Sequence, residues 1–294
     1  MSKRMIGNGM LLLAAIIWGI SFVAQVVGLE YVGPFTFLAV RSLLGSLVLL
    51  PVIALMDKGG ISKKPVSAKE KKTLWIAGGF CGFFLFTACA LQQVGLMTTE
   101  AGKGGFLTAL YIILVPVCGL FFRKKVSPWV WVAVVLALIG LYLLCSGDMT
   151  LGVGEILLIL CSVAFTGHIM VIDHFSPHVD GVRLSCLQFF ICGMICLVIA
   201  LFTETITAKS LLQCWLPIAY SGILSAGAGY TLQILGQART EPATASLLMS
   251  LESVFSVLAG WVLIGERLSA PELIGCGLVF AGVVLAQLPE FKKA

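Results

Sequence analysis

A single acidic residue stands in the middle of a long apolar run near the end of the chain. Glu252 lies about ten residues from either end of the run 243–264. A carboxylate at the centre of a bilayer costs roughly 2.5 to 3.5 kcal/mol on insertion scales, so it should face a cavity, meet a cation or stay protonated. Glu252 is therefore interpreted either as a site for a proton or a cationic group, or as a neutral acid that bonds a neighbouring helix.

One basic side chain also lies inside an apolar run. Arg41 is about one and a half helical turns inside the run 35–56, and its long side chain can reach back toward the membrane surface. The alternative is that Arg41 binds an anionic group of a solute or pairs with an acidic residue such as Glu252. Both interpretations stay open at the level of the sequence.

Four glutamines lie at matching depths in the two halves of the chain: Gln92, Gln93, Gln188 and Gln233. A glutamine amide both donates and accepts hydrogen bonds, which suits amino acids and polar metabolites. The alternative is plain bonding between helices, worth about 0.6 kcal/mol for each pair in a membrane. Gln92, Gln188 and Gln233 are retained as candidate binding residues.

Four ring-bearing side chains are further candidates for lining a cavity. Trp18, Tyr111 and Tyr230 can offer aromatic faces to apolar or cationic solutes, although such residues also occur in packed or lipid-facing positions. His168 lies toward the end of the run 152–172 and is interpreted as a hydrogen-bonded or gating histidine, with a proton carrier as the alternative.

The candidate residues belong to two copies of one pattern. The stretch LQQVGLMTTEA at 91–101 recurs 141 residues later as LQILGQARTEP at 232–242. Further toward the N-terminus the spacing is 147 residues, which aligns Arg41 with Gln188. The copy therefore covers a whole half of the protein, 1–147 and 148–294.

Composition places these halves in a membrane. Of the 294 residues, 59% are hydrophobic and 11% are charged, whereas soluble proteins average about half and about a quarter. A helix needs about 20 apolar residues to cross a bilayer. Ten such runs predict an all-α integral membrane protein with ten transmembrane helices: 8–29, 35–56, 74–96, 102–122, 128–146, 152–172, 182–202, 214–236, 243–264 and 272–288.

Ten helices in two copies leave five helices for each copy. Because five is odd, the second copy enters the membrane from the opposite side, and the two five-helix repeats are inverted. Inverted repeats recur in secondary transporters, with the binding site near the bilayer midplane. The pattern thus predicts two similar conformations, one open to each side.

Basic residues predict the orientation. With the N-terminus in the cytoplasm, fifteen of the nineteen Lys and Arg residues lie on the cytoplasmic side, as the positive-inside rule requires. We therefore expect a multi-pass protein of the cell membrane with both termini in the cytoplasm.

Other site classes have little support. The ten cysteines are scattered without metal-binding spacing, so neither a metal nor a cofactor is expected. The net charge of +5 comes from loops, and no nucleic-acid partner is expected. The expected partners are a small-molecule substrate and the lipid bilayer, and the sequence carries no signal for an oligomeric state.

Three stretches resemble the EamA family of the drug/metabolite transporter superfamily: AAIIWGISFV at 14–23, AVRSLLGSL at 39–47 and LESVFSVLAGWVLIGERLS at 251–269. The resemblance implies two EamA domains, with helices 1 to 4 and 6 to 9 around a central cavity and helices 5 and 10 outside. One departure is Ser253, which stands where the family usually has a proline.

Together these features predict a secondary active transporter that works by alternating access. The expected solutes, which follow from the breadth of the family, are small metabolites such as amino acids, or organic cations and drugs. The expected direction is export, and protons are the candidate coupling ion through Glu252.

One alternative is an obligate exchanger of phosphorylated or nucleotide-linked sugars, which would need several cationic groups. Another is a membrane-embedded enzyme, which would need a clustered constellation, and none is evident. An enzyme is therefore not expected.

Overall fold

The structure is a computed structural model that describes residues 3–60, 64–122, 126–144, 152–265 and 269–291. The predicted boundary between the repeats, at residues 147 and 148, lies outside the described residues, as do the basic residues at 123–125.

Helices make up every regular element of the described part of the chain, as the apolar runs predicted. In chain order, the helices are α1 (Lys3–Leu29), α2 (Pro34–Lys58), α3 (Ala68–Gly95), α4 (Ala101–Thr108), α5 (Tyr111–Phe121), α6 (Pro128–Leu144), α7 (Val153–Phe175), α8 (Gly181–Thr203), α9 (Ala208–Gln213), α10 (Trp215–Ala219), a π-helix (Tyr220–Gly229), α11 (Tyr230–Gln237), α12 (Pro242–Met249), α13 (Leu251–Ile264) and α14 (Ala270–Phe291).

Seven helical stretches of the described chain are long and apolar enough to cross a membrane, and α4–α5 and α12–α13 each count as one of them. Two shorter apolar helices, Pro128–Leu143 and Ala270–Ala286, come from the predicted fifth and tenth runs. The class of an all-helical, multi-pass membrane protein is confirmed.

The predicted eighth run, 214–236, is not one regular helix. It divides into α10, the ten-residue π-helix and α11. Pro217 lies within α10 and has no backbone N–H to donate. The π-helix that follows, YSGILSAGAG, is rich in small residues, which let a neighbouring backbone or ring come close.

The helices that surround the centre form two groups. In the first bundle, α1 packs against the π-helix, α11, α12 and α13, and α2 packs against the π-helix. In the second bundle, α3 packs against α7 and α8, and α4 and α5 pack against α7. Each bundle therefore combines helices from both halves of the sequence.

The pair α2 and α8 joins the two bundles and is tied at both ends. At one end the carboxylate of Glu204 accepts hydrogen bonds from the backbone N–H groups of Phe35 and Thr36, at 2.9 and 2.8 Å. These N–H groups belong to the first turn of α2 and have no partner within the helix. At the other end Arg183 forms an ion pair of 2.5 Å with Asp57.

Helices α6 and α14 pack chiefly on each other. Glycine allows this contact at two matching places. A Cβ added at Gly140 would lie 2.6 Å from the carbonyl oxygen of Gly275, and one added at Gly282 would lie 2.8 Å from that of Ala133. The two backbones thus touch directly.

Candidate functional site

Two helix breaks position the central side chains. Helices α4 and α5 are separated at Ala109 and Leu110, and α12 and α13 are separated at Ser250. At the second break the hydroxyl of Ser250 donates to the Leu247 carbonyl at 2.8 Å, and that of Ser253 donates to the Ser250 carbonyl at 2.9 Å. Serine hydroxyls that bond backbone carbonyls compete with the regular helical ladder.

The breaks bring Glu252 and Tyr111 together. Glu252 lies in the first turn of α13, where unpaired backbone N–H groups favour an acidic side chain. Tyr111 is the first residue of α5, and its hydroxyl donates to Glu252 Oε1 at 2.8 Å. Both side chains are buried. The partner of the central carboxylate is therefore a tyrosine of the other bundle.

The pair lines a cavity between the bundles, and seven of the nine predicted site residues contribute to its wall. These seven are Trp18, Arg41, Gln92, Tyr111, Tyr230, Gln233 and Glu252. The wall is completed by seven residues outside the predicted set, Ser21, Phe22, Gln25, Phe165, Ile169, Ser225 and Met249.

His168 and Gln188 do not line this cavity. His168 Nε2 lies 3.0 Å from Gln188 Oε1, and neither side chain has any exposed surface. The ring centre of His168 is 6.0 Å from that of Tyr230, so this polar pair lies behind the cavity wall. Its position fits the interpretation of His168 as a hydrogen-bonded histidine.

Arg41 is the basic residue of the cavity wall. Its side chain is 3% exposed, so it does not reach the surface as the snorkelling interpretation would require. The guanidinium carbon lies 5.9 Å from the ring centre of Phe37. Its Nε has no hydrogen-bond partner in the described chain, and Glu252, which accepts from Tyr111, is not paired with it.

Other polar atoms of the cavity wall share this lack of partners. In the described structure no hydrogen bond reaches Trp18 Nε1, Ser21 Oγ, Gln25 Oε1, Arg41 Nε or Gln233 Oε1, although all five atoms are buried. A buried polar group without a partner costs free energy. All five atoms belong to residues that line the same cavity, where a polar solute or water can complete their bonding.

Ser21 and Gln25 were missed by the sequence interpretation, although a signal for them exists. Trp18, Ser21 and Gln25 follow one another at spacings of three and four residues on α1, and residues so spaced share one helix face. Ser21 and Gln25 are polar residues in an otherwise apolar run, and they lie on the same helix face as Trp18. This pattern indicates the side of α1 that faces the cavity.

Aromatic rings close one part of the wall. The ring centres of Trp18 and Tyr230 lie 4.6 Å apart, and those of Phe189 and Tyr230 lie 5.0 Å apart. Glycine makes room for the tryptophan, because a Cβ added at Gly229 would lie 2.8 Å from Trp18 Nε1. The end of the π-helix thus positions an indole donor at the cavity.

In this conformation the cavity is nearly closed. The space that a water-sized sphere can enter is about 30 Å³, and one water needs about 10 to 15 Å³ on the same measure. A second cavity of about 570 Å³ lies one helical turn further along the same helices, where Val115, Asp173 and Gln237 follow Tyr111, Ile169 and Gln233. The central cavity must expand before it can hold an organic solute.

Comparisons with known proteins agree with this architecture. The model of the EamA-like transporter family matches residues 5–146 and again residues 152–288. A solved crystal structure aligns with a TM-score of 0.77 over 98% of this chain and 96% of its own, at 19% identity. At that identity the likeness concerns the fold alone.

Relatives by sequence span nearly the whole chain. An "uncharacterized transporter" of Archaeoglobus fulgidus is 29% identical, over 97% of this chain and 87% of the relative. The "uncharacterized transporter YoaV" of Bacillus subtilis is 21% identical, over 97% of both chains. The "uncharacterized inner membrane transporter YedA" of Escherichia coli K12 is 23% identical, over 96% and 91%. The two family matches cover most of the chain, and the protein belongs to the EamA-like transporter family.

Proposed function

We propose that this protein is a secondary carrier that exports a small organic solute bearing both a carboxylate and an amino group, such as an amino acid, by alternating access. The observation that carries the proposal is the cavity between the bundles, whose buried polar atoms lack partners on several sides. A membrane transporter is already indicated by the family and by the names of the relatives.

The proposed architecture is ten transmembrane helices in two inverted repeats. Support comes from the two family matches and from contacts between repeat-related residues. Tyr111 bonds Glu252, and Cys89 Sγ lies 3.9 Å from Tyr230 Oη, and each pair is separated by 141 residues, the spacing of the sequence repeat. A residue meets its own counterpart only on a twofold axis, so these pairs favour a pseudo-twofold axis through the cavity.

Such an axis exchanges the two bundles. By the repeat spacing, α1 corresponds to α7, α2 to α8, α3 to the π-helix and α11, and α4–α5 to α12–α13. Each helix of the first bundle then has its counterpart in the second bundle. We propose that these mixed bundles, and not the two sequence halves, are the bodies that rock against each other.

The proposed solute follows from the two unlike charges in the cavity wall, those of Arg41 and Glu252. Arg41, in the first bundle, aligns in the repeat with the neutral Gln188, and Glu252 aligns with the neutral Tyr111. The repeated scaffold is therefore symmetric while its charges are not. A zwitterion can place its carboxylate at Arg41 and its ammonium group at Glu252, with Trp18 Nε1 and the glutamine amides completing the contacts.

Two other solute classes fit less well. An exchanger of phosphorylated sugars should present several cationic groups to the doubly charged phosphate, and Arg41 is the one basic residue in the described wall. An organic cation would use Glu252 and the aromatic rings but would leave Arg41 unpaired. Both classes remain outcomes of the test.

The orientation in the proposal has both termini in the cytoplasm. It rests on the distribution of Lys and Arg in the loops and on the positive-inside rule. The face at which α1 begins and α11 ends, where Thr240 bonds Asn8 at 3.0 Å, would then be cytoplasmic. The cleft beside Gln237 opens near this face and would admit a cytoplasmic solute.

The test combines ligand binding with transport. We expect amino acids to raise the unfolding temperature of the purified protein, because a ligand stabilises the state that it binds. The corresponding amines and carboxylic acids should raise it less. Proteoliposomes loaded with an amino acid that stabilises the protein should take up the labelled compound by counterflow. Stabilisation by sugar phosphates or quaternary amines alone would contradict the proposed solute class.

A further inference from the structure

Two glutamines outside the cavity wall form matching hydrogen bonds between the bundles. Gln93 Nε2 of α3 donates to the backbone carbonyl of Gln25 in α1 at 3.3 Å. Gln237 Nε2 of α11 donates to the backbone carbonyl of Ile169 in α7 at 3.2 Å. Both bonds join partners 68 residues apart, and both cross from one bundle to the other.

The two bonds lie at opposite ends of the cavity. Gln25 and Gln93 are close to the C-terminal ends of α1 and α3, whereas Ile169 and Gln237 are close to the C-terminal ends of α7 and α11. The end of α11 lies near the start of α1, because Thr240 bonds Asn8. We call the face at which α1 begins the near face and the face at which α1 ends the far face.

Each bond lies directly beyond the cavity wall. On the far side Gln25 itself lines the cavity, and Gln93 follows the wall residue Gln92. On the near side Ile169 lines the cavity, and Gln237 lies one helical turn beyond the wall residue Gln233. Beyond Gln237 the cleft of about 570 Å³ begins, which is large enough for a small metabolite.

The chemistry of the two bonds suits repeated opening. Both amides are buried, and in the described structure the Oε1 atoms of Gln93 and Gln237 have no hydrogen-bond partner. Each amide therefore makes one neutral bond across the bundle interface and no ion pair. Neutral bonds between membrane helices are weak enough to be broken and remade during a cycle.

We propose that Gln93 and Gln237 are gate residues of the protein, one for each face. Gln93 holds the far face closed through the Gln25 carbonyl, and Gln237 holds the near face closed through the Ile169 carbonyl. Opening toward one side breaks one bond while the other persists. This inference rests on the proposed function as an alternating-access carrier, in which one face opens at a time.

The test measures the opening of each face without any solute. Gln93→Met and Gln237→Met replace the amide by an unbranched apolar side chain of similar length. Hydrogen–deuterium exchange of the protein in lipid nanodiscs then reports on each face separately. Gln237→Met should speed exchange about threefold in peptides at the ends of α7 and α11, and Gln93→Met should do so at the ends of α1 and α3.

The matched control is Gln92→Met. Gln92 neighbours Gln93, but its amide donates to Thr108 of its own bundle at 3.2 Å, so this variant should not speed exchange at either face selectively. If a methionine variant speeds exchange everywhere, including α6 and α14, its fold is destabilised. Gln93→Asn and Gln237→Asn, which shorten the amide without removing it, then replace the methionine variants.

The gate proposal is overturned if both variants open the same face, or if neither changes the exchange of its own face. A failure of the proposed function would look different. The parent protein would transport no amino acid, while the exchange of the two faces would still respond to the two glutamines. The two ideas are therefore tested apart.

Discussion

At the scale of single residues, the position of Arg41 in the cavity wall, without an ion pair to Glu252, carries the most information. The sequence left a choice between a surface-reaching arginine, a pair with Glu252 and a solute contact. The structure shows a buried guanidinium at the cavity wall, and Glu252 is bonded to Tyr111 instead. A buried cation without an acidic partner is costly, which is why we assign its charge to the carboxylate of the solute.

Replacing Arg41 tests that assignment directly. Arg41→Met should weaken the binding of an amino acid about tenfold to a hundredfold, because hydrogen bonds to charged groups contribute about 1.5 to 3 kcal/mol. The affinity for the corresponding amine, which lacks the carboxylate, should change little. Titration calorimetry with both ligands checks the prediction, and an equal loss for acid and amine would show that Arg41 acts only through packing.

Glu252 is the second residue whose proposed role, proton coupling, can be tested by substitution. If the carboxylate binds and releases a proton in each cycle, an inward proton gradient should speed the export of amino acid by the parent protein. Glu252→Gln should abolish that acceleration. Because Glu252 also contacts the ammonium group in the proposal, the variant should still exchange solute for solute, but only at higher amino acid concentrations. Tyr111→Phe removes the hydroxyl that bonds Glu252 but keeps the carboxyl, so its response to the gradient should survive. A gradient response that persists in Glu252→Gln would exclude proton coupling through this residue.

At the scale of helices, the interruptions determine which side chains face the cavity. An unbroken helix would continue the hydrogen-bond ladder past Ser250 and past Ala109. The breaks instead begin new helices at Leu251 and Tyr111. The hydroxyls of Ser250 and Ser253 bond backbone carbonyls and so interrupt the helical hydrogen-bond ladder. A proline, which the family usually has at position 253, would interrupt the same ladder. The break between α12 and α13 is therefore present without a proline at position 253.

If serine hydroxyls cause the break at Ser250, a proline should be tolerated at position 253 of α13 and should be harmful one turn later, at position 257. Ser253 lies in the first turn of α13, and its N–H bonds the Ser250 carbonyl at 3.1 Å. Ser253→Pro should therefore cost about 1 kcal/mol, whereas Val257→Pro, inside the helix, should cost about 3 kcal/mol or more.

Thermal unfolding of both variants in detergent provides the measurement. The unfolding temperature should fall far less for Ser253→Pro than for Val257→Pro. Equal falls would indicate that Ser253 already belongs to a regular helical ladder and that the bend does not depend on it.

At the scale of the molecule, the two bundles meet along α2 and α8 and around the cavity, where α4 meets α13 and α5 meets α12. On the far side Ser253 Oγ also donates to the carbonyl of Gly105 at 3.2 Å, which joins α13 to α4. Helices α6 and α14 pack chiefly on each other. A rocking motion should therefore change the distance between α4 and α13 and leave α6 and α14 in contact.

Two engineered disulfides distinguish these interfaces. A Cβ at Gly105 would lie 3.7 Å from Ser256 Cβ, and one at Gly282 would lie 3.5 Å from Ala137 Cβ, and both distances suit a disulfide. The pair Gly105→Cys and Ser256→Cys, once oxidised, should stop transport until a reductant is added. A Cβ at Gly282 would also lie 2.8 Å from the Ala133 carbonyl oxygen, so the pair Gly282→Cys and Ala137→Cys is compared with its own reduced form. Its transport should be the same whether the disulfide is oxidised or reduced. Transport that continues through the first crosslink would exclude relative motion of the bundles at that point.

The sequence by itself determined the membrane class, most of the helical spans, the internal repeat and the membership of the family. Hydropathy is a local property, because each segment enters the membrane according to its own apolar content. The repeat is read by comparing two stretches of the sequence, without knowledge of their contacts. For the same reason the sequence could nominate Glu252, Arg41 and the tyrosines as polar groups within apolar runs. It could not say which of them touch.

Only the tertiary structure decided those contacts. It placed His168 and Gln188 behind the wall, brought Ser21 and Gln25 into it, and turned the predicted eighth helix into a π-helix between two shorter segments. It also sorted the helices into bundles that mix the two halves of the chain. The physical reason is that packing and hydrogen bonding between different helices choose each partner. The partners are 20 residues apart for His168 and Gln188 and 141 residues apart for Tyr111 and Glu252, and no local pattern records that choice.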